Sequence, residues 1–364
     1  TADNNTAVGF EALKANTSGC RNVALGSSAG LAITTGIENV AIGYESLKNE
    51  DAHGRNTAVG TQALFAQNAG ADAYNVAVGY QAGAAISTGV QNTMVGAFSG
   101  DGITTGQYNV GVGIHAVGST TTASNNTGLG YNALFTNTTG HSNTAVGIYS
   151  LNNNTTGFCN VAIGKNALLA NTTTCKNVAI GSDALCSHTV NGVENTAVGH
   201  GAQKSNTEGY YNTSVGKNSL VNVTTGDNNI SLGRDSGADA VRNITSGDNE
   251  IVIGNNSNGS AFIKIDWTVT SDLRDKTNIE DVPHGLNFIN QITPIKYKFK
   301  TSREDETPLG RARFGFKAQE ILELEGDNPI LVNNEDTDNL KLTGAYLVPV
   351  LVNAIKELTA RVKE

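Results

Sequence analysis

Ser271 and Lys276 stand five residues apart in "SDLRDKTNI". A serine hydroxyl is a weak nucleophile until a neighbouring base takes its proton. A lysine serves as that base only where desolvation or nearby charge favours the neutral amine. Side by side, the two side chains offer one chemistry: attack of the hydroxyl on a peptide carbonyl. The spacing alone leaves a second reading open, a solvated turn in which neither group reacts. Asp272 and Arg274, between them, read as orienting or structural residues rather than catalytic ones.

Other chemistries find less support. The four cysteines (Cys20, Cys159, Cys175, Cys186) form no CxxC pair and are too sparse for a disulfide scaffold. They read as thiols packed as small apolar groups, with Cys159 and Cys175 about one repeat apart and so expected on neighbouring coils. The six histidines are scattered without metal-ligand spacing, so neither a metal nor another cofactor is expected. A net charge of −9 argues against a nucleic-acid partner, which would require clustered Lys and Arg. No apolar run approaches the roughly 18 residues of a membrane span, so membrane insertion is not expected.

The elements that must position Ser271 and Lys276 lie on either side of a composition boundary. All five prolines follow residue 282, whereas most of the 42 glycines precede residue 271. The upstream part is one unit repeated, as in "NNTAVGFEAL", "ENVAIGYESL" and "YNVAVGYQAG". Its glycine recurs from Gly9 to Gly254, and eleven of the fourteen intervals are 17 residues. The residue before the glycine is always Val, Ile or Leu, and the residue three before it is Thr, Val or Ile. That alternation with small residues predicts a short, half-buried strand. Three after the glycine stands only Ala or Ser, as expected where neighbouring coils leave little room. Four before it is Asn in fourteen of fifteen units, Glu250 being the exception, and stacked asparagines can form a hydrogen-bonded ladder. The glycine suits a corner with positive φ or a close backbone approach.

A 17-residue unit is too short for a helix-pair repeat and fits one coil of a parallel β-solenoid, with "NTTG"-like stretches as the outer turn. Fifteen such coils at about 4.8 Å spacing would make a rod of roughly 70 Å. With few sizeable apolar positions per unit, one coil stack has a thin core, and three chains sharing a core are expected. At "NVAIGYESL" and "NVAIGKNAL" the repeat resembles the head repeats of trimeric autotransporter adhesins, which are trimeric left-handed parallel β-rolls. The period here is longer than that family's.

Beyond the repeats, residues 260–270 read as a connecting strand, carrying Phe262, Ile263, Ile265, Trp267 and Val269. "GLNFINQITPIKYKFKT" predicts a helix followed by a strand, and "GFKAQEILELE" a second helix. The closing "YLVPVLVNAIKELTARVKE" predicts a helix with Pro349 in its first turn. Its Leu351, Ile355, Leu358 and Val362 follow the 4-3-4 spacing of a coiled-coil seam; packing on its own domain is the alternative.

"SDLRDKTNI", "LNFINQITPIKYKF", "GFKAQEI" and "LVPVLVNAIKEL", in this order over residues 271–364, resemble the C-terminal intramolecular chaperone domain of phage tail spikes, tail fibres and endosialidases. The resemblance departs at Asp275, where the family has an apolar residue. It implies a mainly β chain: a trimeric β-solenoid shaft over 1–259, the connecting strand at 260–270, and a small α+β chaperone domain over 271–364 ending in a coiled-coil helix. It implies a homotrimeric virion fibre or spike, assembled in the host cytoplasm and directed at a host-cell receptor or glycan. It also implies a single self-cleavage beside Ser271, within Thr270, Ser271 and Asp272, with Ser271 as nucleophile and Lys276 as general base.

The physical need is plain, since coils this similar specify register poorly and parallel pairing is slow. The competing reading is a bacterial trimeric surface adhesin head, a class that ends in a membrane-anchoring barrel. A polysaccharide-degrading spike would need paired carboxylates, in which these repeats are poor.

Overall fold

The computed structural model describes residues 2–189, 191–239, 241–258, 271–300 and 303–363. The expected connecting strand at 260–270 and Thr270 lie outside these residues. The chain divides into two compact units, Thr1–Asn255 and Asn256–Glu364.

The first unit is a parallel β-solenoid. Fifteen three-residue strands, from β1 (Thr6–Val8) to β15 (Ile251–Ile253), pair in sequence order and in register, so each strand lies on the one a coil away. Fifteen strands enclose fourteen turns. The repeating glycine closes each strand. At Gly164 φ is +130°, and an added Cβ would stand 2.6 Å from the Gly181 carbonyl, so only glycine permits the coils to stack here.

The expected asparagine ladder runs through the stack. Asn39 N donates to Asn22 Oδ1 at 3.0 Å and Asn56 N to Asn39 Oδ1 at 3.0 Å, while Asn22 Nδ2 donates to Gly36 O at 2.8 Å. The asparagines are buried, and their main partners are backbone groups of the neighbouring coil rather than one another. Each therefore satisfies a backbone N–H and C=O that water cannot reach. The exception, Glu250, closes the ladder: its N–H takes Asn229 Oδ1 at 2.9 Å, and its carboxylate pairs with the Arg242 guanidinium. A second ladder follows the outer turn, where Thr104 Oγ1 donates to Thr121 O at 3.0 Å and Thr138 Oγ1 to Thr155 O at 3.0 Å.

The strands turn their smaller residues inward. The middle residue, usually Ala, is buried, while the flanking β-branched residues face out. Val23, Leu25, Val78, Val112, Ile163, Ile180, Val215 and Leu232 are all exposed on the single chain. The interior is filled instead from the turn. Four residues after the glycine sits a buried Leu (Leu47, Leu64, Leu134, Leu151, Leu168, Leu185), and seven after it stands a second buried residue.

In several coils the two positions compensate in volume: Leu at the first accompanies Asn at the second (Leu134 with Asn137, Leu151 with Asn154), and Gly accompanies Ile (Gly30 with Ile33, Gly83 with Ile86). A Cβ on Gly83 would meet Ile86 Cδ1 at 2.8 Å, so the isoleucine occupies the missing leucine's place. The leucines adopt φ near +50° (Leu47 at 45°, Leu151 at 47°). Such a conformation costs an L-residue roughly 1–2 kcal/mol. It is offset by complete burial and by a bond to the next coil, such as Leu47 N to Ala63 O at 2.9 Å.

None of the four cysteines is buried: Cys159 is exposed and Cys20, Cys175 and Cys186 are half-buried, so they do not fill the interior as packed thiols. Cys159 and Cys175 do fall on neighbouring coils, as free thiols.

The second unit is a small α+β fold. Helix α1 (Leu286–Gln291) leads to the antiparallel pair β16 (Ile295–Lys300) and β17 (Pro308–Gly315). Helix α2 (Ala318–Glu325) precedes the short pair β18 (Val332–Asn333) and β19 (Lys341–Leu342), and α3 (Leu347–Lys363) closes the unit. Phe288, Ile321, Leu331, Val332, Leu347 and Val350 form the core. The Glu325 carboxylate accepts from the amides of Ile330, Leu331 and Val332 at 2.7–3.0 Å and so fixes the loop after α2.

Candidate functional site

Ser271 lies in the second unit, two residues before a single 3-10 turn, Leu273–Asp275. Asp272 caps this turn: its Oδ1 accepts from Arg274 N at 2.9 Å, while the Arg274 guanidinium pairs with Oδ2 at 2.6 Å. The guanidinium holds the Asp272 carboxyl below its usual range, and the caps of a short helix start are satisfied locally. Both side chains are thus committed to shaping the turn. At its far end Lys276 N donates back to Leu273 O at 3.2 Å.

With about three residues per turn, this fold-back returns Lys276 over Ser271. Lys276 Nζ donates to Ser271 Oγ at 2.8 Å and to Ser271 O at 3.2 Å. The hydroxyl and the amine thus stand within proton-transfer distance of each other. Ser271, Asp272, Arg274 and Lys276 are all exposed on the single chain, as is Asp275. At an exposed site the Asp275 carboxylate carries no burial penalty, so its departure from an apolar residue leaves the turn intact.

The closing helix carries two apolar faces. Leu347, Val350 and Ala354 are buried within the unit, and α3 is tied to the segment around α1 by Asn353 Nδ2 to His284 O at 3.1 Å and by Leu286 N to Glu357 Oε2 at 2.9 Å. The heptad-spaced Leu351, Ile355, Leu358 and Val362 are exposed. Pro349 falls in the first helical turn, where its missing N–H costs no hydrogen bond.

A second cluster was not visible in the sequence spacing. Glu50, Asp51 and His53 sit on one outer turn of the solenoid, each offering a ligand atom, and the three atoms lie within 4.8 Å of one another. An E-D-x-H signal exists, but it departs from the spacing of familiar metal motifs, and only the turn geometry gathers it. Elsewhere burial shifts isolated groups: it pushes the Asp101 carboxyl and the Cys175 thiol up and the His188 imidazole down.

Among the described residues no helix is long and apolar enough to cross a membrane. Residues 271–328 match the family model described as chaperone of endosialidase. The match begins at Ser271 and contains "SDLRDKTNI", "LNFINQITPIKYKF" and "GFKAQEI", while the closing helix lies beyond it. Comparison with curated proteins and with solved structures returns no match for the chain.

Proposed function

We propose that a chain carrying this chaperone-of-endosialidase segment behind a long parallel β-solenoid is a homotrimeric phage-like tail fibre or spike that releases its own folding domain. The observation that carries the reading is the Lys276 Nζ to Ser271 Oγ contact of 2.8 Å, at the first residue of the family match. Two exposed apolar surfaces support trimerisation. One is the outward Val/Ile/Leu face of the solenoid strands, and the other is the heptad seam of α3. A solenoid burying mostly Ala and one Leu per coil gains little alone, and water contact along a row of Val and Ile is costly.

In the proposed cleavage, Lys276 first loses its own proton. Desolvation favours the neutral amine, and packing of three copies over this exposed turn supplies it. Ser271 Oγ then adds to the Thr270 carbonyl carbon while its proton passes to Lys276 Nζ. That carbonyl is reached through a five-membered ring, whereas the carbonyl of Ser271 itself would require a strained four-membered one. The C–N bond between Thr270 and Ser271 breaks as the nitrogen takes the proton, leaving an ester that water hydrolyses. Removing the domain that set stoichiometry and register leaves the shaft kinetically trapped as a trimer. Attachment to a host-cell receptor or glycan, on the virion, is the role such a shaft would serve.

A denaturing gel tests this. Wild type should separate into fragments 1–270 and 271–364, the smaller with a mass that begins at Ser271, and Ser271→Ala should run whole. Wild type that stays whole while its mass in solution is that of three copies would refute self-cleavage; a monomer would refute the shared core.

A further inference from the structure

The third coil breaks the pattern of its neighbours. Where coils such as those at Ile33, Ile103, Asn137 and Asn154 carry Asn or Ile followed by Thr-Thr-Gly, residues 50–54 read Glu-Asp-Ala-His-Gly. Glu50 stands in the buried column of Asn137, Asn154 and Asn171, and it is 0% exposed. One of its oxygens accepts from His53 N at 3.1 Å, but Oε2 is buried without a partner. His53 occupies the position of Gly36, Gly106 and Gly157, and its backbone carbonyl still takes Asn39 Nδ2 at 3.2 Å as those glycines' carbonyls do for their asparagines. Its ring nitrogen Nδ1 is likewise buried and unpartnered. The Asp51 carboxylate completes the cluster, and a lone buried carboxylate with a free lone pair is costly unless a cation meets it.

We propose that Glu50 Oε2, His53 Nδ1 and the Asp51 carboxylate bind one divalent transition cation, with Zn²⁺ the best match to one imidazole and two carboxylates. Two carboxylates and a neutral imidazole balance the ion's charge. With metal–ligand bonds of about 2.1 Å, ligand atoms stand about 3.4 Å apart, so side chains within 4.8 Å need close by only a little more than 1 Å. Water fills the remaining position. The ion would pin an outer turn that lacks the threonine pair used elsewhere, independently of any cleavage at Ser271.

The probe is Zn²⁺ itself, titrated calorimetrically into the metal-stripped, tag-free full chain. One saturable equivalent per chain is expected, with slowed amide exchange over residues 48–56. His53→Gln and Glu50→Gln should each lose it, and Asp51→Asn should weaken it at least tenfold. Glu50→Gln is expected to fold, because Gln67 holds the same position one coil on, and unchanged exchange in the coils around Asn160 checks this. Co²⁺ gives a second readout through visible bands of a low-coordinate site. No saturable uptake by the wild type overturns the proposal, as does equal uptake by both the Glu50→Gln and His53→Gln proteins.

Discussion

Asn143 offers a quantitative probe of the ladder, because its partners can be counted. It is 1% exposed; its Oδ1 accepts from Asn160 N at 3.0 Å and Asn160 Nδ2 at 3.2 Å, and its Nδ2 donates to Gly157 O at 2.8 Å and to Asn126 Oδ1 at 3.3 Å. Asn143→Ala leaves the buried Asn160 N–H without an acceptor, at a cost of about 1–3 kcal/mol. Gly157 O keeps Asn154 Nδ2 at 3.0 Å, so there only one of two bonds is lost, about 0.5–1.5 kcal/mol. The sum, about 1.5–4.5 kcal/mol, is confined to adjacent coils, since a solenoid couples nearest neighbours. Amide hydrogen exchange should therefore accelerate roughly 10- to 1500-fold in peptides spanning 143–160, at tenfold per 1.4 kcal/mol. Distant coils should be unchanged. Thr139→Ala, on the exposed part of the same turn, should stay within about 0.5 kcal/mol of wild type. Exchange over 143–160 that rises less than about threefold, or no more than in Thr139→Ala, would refute the ladder as a source of stability.

Two further outcomes follow from the same structure. His188 is 0% exposed, its Nε2 lies 2.7 Å from Gly192 O, and burial lowers its tendency to take up a proton. Unfolded imidazole protonates near pH 6.5 while the folded one resists. Stability is therefore full above about pH 6.5 and falls as pH drops below that value. Exchange around residues 185–192 should show this acid sensitivity, and His188→Asn, which restores the residue found at Asn171 and Asn206, should remove it. On α3, the double substitution Ile355→Asp and Leu358→Asp changes exposed positions only. It should preserve the helical circular dichroism, yield monomers by mass in solution and leave the chain uncleaved. Trimers or cleaved product would separate assembly from this seam.

Much of the fold was legible because the solenoid repeats its constraints. A glycine whose φ is +130° and whose Cβ would strike the next carbonyl must recur at every coil, so Gly164 and its counterparts mark the period in the sequence. The same holds for Asn, whose two polar ends suit one N–H and one C=O per coil. The alternation Thr/Val-Ala-Val/Ile likewise fixes a strand with two faces, but it does not say which is inside. The exchange of Leu47-type for Ile33-type filling was also present in the sequence, as paired changes three residues apart, yet it has meaning only once both side chains share one cavity.

For the candidate site, residue types and spacing made Ser271 and Lys276 a possible pair without distinguishing it from a solvated turn. The Asp272–Arg274 pair and the 3-10 turn reverse the chain within five residues and bring Nζ to Oγ, in a turn that is exposed on the single chain. The sequence by itself determined period, strand positions and the ladder residue, because each follows from local sterics or hydrogen-bonding repeated along the chain. The tertiary structure alone decided that Ala faces in and Val and Ile face out, because a 17-residue coil encloses too little volume for both faces' larger side chains. It alone gathered Glu50, Asp51 and His53, because burial in a coil stack is a property of neighbours a full repeat away.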